Sequence, residues 1–198
     1  MIKAVLFDMD GVLIDSHDAW FYVFNKSLDK FERKQVNVEE FDKCVWAKAF
    51  DKVCRQYFSV PLLDVRKYYQ EVYPDYRERL RIMPNAKEAL SELKSRGLKL
   101  AVVSNTQEVI AKKTLQDIGI IQFFGLILGG DNIKNGKPEP DILYKALELM
   151  KLNKDEVLFI GDTIWDKMAA KKANIKFVGF RQDGDKRISS LKELPNMV

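Results

Sequence analysis

Asp8 and Asp10 close an apolar run, residues 4–7, in the stretch DMDGVLIDS, and Gly11 follows at once. In an extended segment side chains two apart point to the same side, so both carboxylates can face one reacting atom. One can attack as a nucleophile while the other carries a proton, which divides a hydrolysis into two displacements through a covalent intermediate on the aspartate, for a phosphoryl group an aspartyl-phosphate. Three other places hold complementary groups: Ser104, Asn105 and Thr106; Lys137 between Gly136 and Pro138; and Asp162, with Asp166 one helical turn on. Four carboxylates at close range repel, and at least one tends to protonate unless a cation sits among them. Oxygen donors without Cys or His suit Mg2+. A magnesium pocket that also holds a lysine and a hydroxyl fits a phosphoryl group, whose oxygens need cation, ammonium and hydrogen-bond donors together. Gly11 lets the chain turn off the strand with no side chain in the cleft.

A parallel sheet would bring four such distant places to one edge. Five runs are apolar throughout rather than alternating, at 2–7, 98–103, 125–128, 157–160 and 176–180. Strands buried on both faces read this way. From Leu98 onward they alternate with helical patterns at 108–118, 141–150 and 165–173, which predicts an α/β fold with a doubly wound parallel sheet. The carboxyl ends of its strands share one edge, where ligands bind. The named residues fall just after the apolar runs or just before the helices.

The first strand breaks the rhythm, because its own helix, at 86–95, comes some 80 residues later. Asn85 with Glu88 reads as a capping box for that helix, and Asn37 with Glu40 and Ser190 with Glu193 read as further helix starts. Residues 17–82 hold 14 of the 22 aromatics, with Trp20, Phe24, Leu28 and Phe31 at helical spacing. This predicts a helical subdomain at 17–82, with its aromatic stripe as its own small core, inserted into a catalytic core formed by 1–16 and 83–198. His17 reads as a surface residue of the hinge and Trp165 as packing.

The 33 basic and 29 acidic residues leave a net charge of +4, spread over helix-like stretches without a basic stripe carrying aromatics, so no nucleic-acid partner is expected. Cys44 and Cys54 are too far apart for a CxxC unit. No signal-peptide pattern and no apolar stretch of membrane-spanning length is present, so the expectation is a cytoplasmic protein without a membrane partner.

The motifs, in order, resemble those of the haloacid dehalogenase superfamily, in its phosphatase branch with a helical cap. DMDGVLIDS is similar to the first motif, VVSNT to the second, NGKPEPD to the third and GDTIWD to the fourth. Singly each has a plainer reading, such as a turn, a helix cap or, for DxDG, a calcium loop that fails at Val12. The resemblance implies Asp8 as nucleophile, Asp10 as acid and base, and Lys137 neutralising charge on both nucleophile and phosphate. It implies Ser104, with Asn105, on the phosphoryl oxygens. Mg2+ would be held by Asp8, the Asp10 carbonyl and Asp162, with Asp166 in support. The implied activity is a magnesium-dependent phosphatase acting on a small phosphorylated metabolite, phosphoglycolate foremost, through an aspartyl-phosphate. A dehalogenase lacks an acid two residues after the nucleophile. A β-phosphoglucomutase-like enzyme carries a cap histidine without an equivalent here. A phospho-acceptor signalling module, the alternative of another class, needs no insert of this size.

Overall fold

The apolar runs become strands in the computed structural model, which describes residues 1–198. β1 (Ala4–Phe7) is followed by a short β2 (Ile14–Asp15) and then by five helices: α1 (His17–Lys30), α2 (Val38–Cys44), α3 (Phe50–Tyr57), α4 (Leu62–Glu71) and α5 (Tyr73–Glu78). The chain returns through β3 (Arg81–Ile82) into α6 (Ala86–Ser95), β4 (Lys99–Val103), α7 (Glu108–Asp117) and β5 (Leu126–Leu128). It ends with α8 (Asp141–Met150), β6 (Val157–Gly161), α9 (Ile164–Ala173), β7 (Lys176–Phe180) and β8 (Lys186–Ile188).

Six strands form one parallel sheet in the order β5-β4-β1-β6-β7-β8. β1 lies centrally, with Phe7 level with Val102 on one side and Ile160 on the other. The residues after β1, β4 and β6 therefore come out side by side. Alternation along the strand divides the core. Ala4 and Leu6 pack with α8 and α9 on one face, whereas Val5 and Phe7 pack with α6 and α7 on the other.

Two short strands mark where the insert leaves and returns. β2 and β3 pair antiparallel, Ile14 opposite Ile82 and Asp15 opposite Arg81. The aromatics of the inserted helices pack on one another, Trp20 against Tyr69 and Tyr76 and Phe24 against Phe41 and Phe58, and this packing runs on into the sheet. Phe24, Phe41, Val65 and Tyr76 belong to the same apolar cluster as Val5, Phe7 and Leu90 on one face of the sheet.

The helix starts differ in detail from the sequence reading. Asn37 does accept the Glu40 N–H, at 2.8 Å, and Ser190 with Glu193 forms its box at a 3-10 turn, Leu191–Met197. Asn85 does not cap α6: it sits at φ 63, and its amide donates to Ser190 Oγ. A short polar side chain tolerates that left-handed backbone, and the tertiary partner replaces the local one. No helix is long and apolar enough to cross a membrane.

Candidate active site

The turn out of β1 fixes the centre of the site. Gly11 has φ +82, and a Cβ there would lie 2.0 Å from Asp162 Oδ2. Glycine is thus needed twice over, for the backbone conformation and for the approach of the carboxylate.

Asp8 is 5% exposed, Lys137 2% and Asp166 0%. Lys137 Nζ lies 2.7 Å from Asp8 Oδ1 and 2.7 Å from Asp166 Oδ1, and donates to the Val103 carbonyl at 3.2 Å. The other Asp166 oxygen accepts from the N–H and hydroxyl of Thr163, which caps α9. So GDTIWD supplies a helix cap and the lysine's anchor with the same carboxylate. Burial, then Asp166, pushes the Asp8 carboxyl up, and Asp10 adds to this; Lys137 opposes them, and the result is about 7. Burial alone would lower the Lys137 ammonium, but Asp166 and Asp8 outweigh it and hold it above its ordinary range. Both shifts are upward, yet one favours the neutral acid and the other the charged ammonium, because the lysine has two acids and Asp8 only a share of one lysine.

Carboxylate oxygens of Asp8, Asp162 and Asp166 all lie within 4.8 Å of one another. Asp162 Oδ1 is buried and has no hydrogen-bond partner. Burial, then Asp8 and Asp166, pushes the Asp162 carboxyl well up. An orphaned, buried oxygen among three acids is what a small hard cation relieves, so these residues fit a divalent ion.

The Asp10 carboxylate is turned elsewhere. Its Oδ1 accepts from Ser16 Oγ at 2.6 Å, Trp20 Nε1 at 2.8 Å and Tyr76 Oη at 3.3 Å. Its Oδ2 accepts from Thr106 Oγ1 at 2.9 Å and, at the limit of 3.4 Å, from Ser104 Oγ. Trp20 and Tyr76 come from α1 and α5, so the inserted helices grip the second acid directly. Burial and the adjacent Asp10 hold the Tyr76 phenol well above its usual range, so it remains a donor.

Asn105 plays a different part from the one its position suggested. Its amide donates to the carbonyls of Ala47 and Lys137 and accepts the Lys137 N–H at 2.9 Å. The side chain thus ties the lysine loop to the insert, and what Asn105 can offer an oxyanion is its backbone N–H. His17 lies outside the site, with Nε2 2.6 Å from Asp42 Oδ1 and its ring edge-on to Phe41 and Trp46.

Above Asp8 the cavity encloses about 90 Å³. Its floor includes Asp8, Asp10, Ser104, Asn105, Lys137 and Asp166, and its upper wall Trp20, Phe24, Phe41, Trp46, Phe50 and Tyr69. Trp20 and Tyr76 were not legible as site residues. A tryptophan in a helical aromatic stripe reads as packing, and only the need of its indole N–H for an acceptor could have flagged it.

The family model of haloacid dehalogenase-like hydrolases matches residues 5–180. A phosphoglycolate phosphatase of Aquifex aeolicus is 34% identical over 179 residues, covering 88% of this chain and 83% of the relative. A protein of Caldanaerobacter subterraneus with a provisional pyrophosphatase name, PpaX, is 30% identical over 193 residues, covering 91% and 82%. Among solved structures, CbbY of Rhodobacter sphaeroides in complex with phosphate superposes with a TM-score of 0.85 at 20% identity, covering 98% of this chain and 96% of that one.

Proposed function

Because the chain belongs to the haloacid dehalogenase-like hydrolases and is a phosphoric monoester hydrolase, we propose that it cleaves a small phosphomonoester through an aspartyl-phosphate on Asp8. The observation that carries this reading is the pairing of two acids with opposite environments two residues apart. Asp8 is tied to Lys137 through Oδ1, and Asp10 is held in a cage of neutral donors.

In the first displacement an Asp8 oxygen attacks phosphorus, and the bond from phosphorus to the alcohol oxygen breaks. The electron pair leaves on that oxygen, which takes a proton from Asp10. In the second, Asp10 takes a proton from water, the water oxygen attacks phosphorus, and the Asp8–phosphorus bond breaks to release phosphate. Lys137 offsets charge on Asp8 and on the phosphoryl oxygens. The Ser104 hydroxyl and the N–H groups of Met9, Asp10 and Asn105, which meet no backbone acceptor, donate to those oxygens. Mg2+ suits this oxygen set; Asp8, the Asp10 carbonyl and Asp162 would hold it, with Asp166 in support. When bound it supplies positive charge beside the phosphoryl oxygens.

Residues 17–82 act as the cap over this floor, and Trp20 and Tyr76 hold Asp10 when the cap is down. Phosphoglycolate is the leading substrate, supported by the name of the Aquifex relative. The two free cysteines accord with work in the reducing cytoplasm. Asp8→Asn tests the reading: with Mg2+ present it should abolish turnover of both 4-nitrophenyl phosphate and phosphoglycolate, and retained turnover would overturn it.

A further inference from the structure

The cavity above Asp8 does not end at its aromatic wall. Phe50, Asn105 and Gln107 line both that cavity and a second groove of about 70 Å³, set between the start of α3 and the loop that precedes Lys137. Arg66 lies 2.6 Å from Asp51 and 3.9 Å from Asp131, the two acids of this groove. Lys52, Arg55 and Lys134 line it too, and none of them makes an ion pair or a side-chain hydrogen bond; Arg66 offsets one acid, so three cations face the other. A concave wall focuses such a field and draws anions to it.

Gln107 supplies an independent sign. It is 4% exposed, and its Oε1 accepts from Gln70 Nε2 of α4 at 3.2 Å, while its own Nε2 has no partner. A buried amide donor without an acceptor is costly, and a ligand oxygen at the junction of the two spaces would supply one.

We propose that this groove is the subsite for a second anionic group on the substrate, so that the preferred substrates are phosphomonoesters whose alcohol carries a carboxylate or second phosphate reaching past Phe50. The inference rests on the phosphatase reading of Asp8 and adds where the alcohol goes. Arg55 offers a planar fork to either anion, and Lys52 and Lys134 offer point charges. Capture of the free substrate is what such charges improve, so the effect belongs in kcat/KM.

The test compares kcat/KM for ethyl phosphate, phosphoglycolate, 3-phosphoglycerate and propane-1,3-diol bisphosphate, each with Mg2+. The wild type should favour the best anion-bearing ester over ethyl phosphate by about tenfold or more, and the arm that wins tells carboxylate from phosphate. The double variant Arg55→Ala, Lys134→Ala should reduce that ratio by about tenfold while keeping the wild-type melting temperature. A ratio that survives in the double variant, or a wild type indifferent to the second anion, overturns the proposal. A wild type that hydrolyses none of the four overturns the phosphatase reading and the subsite with it.

Discussion

Asp8 is surrounded by influences that work against its ionisation. Burial is the largest, Asp166 and Asp10 add to it, and Lys137 only partly compensates, so its carboxyl moves from 3.8 to about 7. Asp162 moves the same way, through burial and then Asp8. A carboxyl that holds its proton more tightly folded than unfolded gives stability that is complete below the unfolded value and fades as pH rises through the folded one. The metal-free protein should therefore melt at lower temperature as pH goes from about 4 to about 7 on account of these groups. A divalent cation takes over where the proton leaves. Thermal shift by millimolar MgCl2 should accordingly be small near pH ~5 and larger near pH ~7.5, and equal shifts at both would contradict the cation site. Asp10 yields a second prediction at this scale. Trp20→Phe keeps the ring and removes the N–H that reaches Asp10 at 2.8 Å. A proton donor matters most when the leaving oxygen is a poor leaving group, so kcat for an alkyl phosphate should fall by about 10- to 100-fold, and for 4-nitrophenyl phosphate by less than about 3-fold. Equal losses would mean that Trp20 merely packs.

Each strand end succeeds as a site because its element leaves little choice. A Cβ on Gly11 would meet Asp162 Oδ2 at 2.0 Å and would sit on a backbone at φ +82. Gly11→Ala should cost more than about 1 kcal/mol and should also remove the magnesium-dependent shift in melting temperature, since Asp162 must move; a variant that keeps that shift would show the glycine to be incidental. At this scale the sequence is informative wherever burial is complete. The apolar runs at 98–103 and 157–160 became β4 and β6 within a residue, and 141–150 became α8, because a strand or helix buried on its apolar positions has one pattern to offer. Short elements with exposed residues escaped notice: β2 and β3 have two residues each, and β8 carries two exposed residues of three. Asn85 shows a limit of local signals, since its amide partner, Ser190, is 105 residues away.

The apolar packing of the insert is continuous with one face of the sheet. Tyr76, Phe24 and Phe41 share an apolar cluster with Phe7 and Leu90. Excising 17–82 and joining Ser16 to Met83 should therefore expose a continuous apolar face and give an aggregating product; a soluble excised protein with cooperative melting would show the two parts to be energetically separate. The floor of the site could be read from the chain because four strand ends supply it in order. The upper wall could not, because the same aromatic stripe serves both packing and pocket, and nothing in the spacing of Trp20 and Tyr76 separates those uses. The account stands or falls on the covalent step at Asp8, and stereochemistry at phosphorus reads that step directly. A phosphorothioate monoester made chiral at phosphorus with 16O and 18O, hydrolysed in H2(17O), should yield chiral thiophosphate with net retention, the result of two in-line displacements, one by Asp8 and one by water. Net inversion would mean that water attacks the substrate directly and would contradict the aspartyl-phosphate.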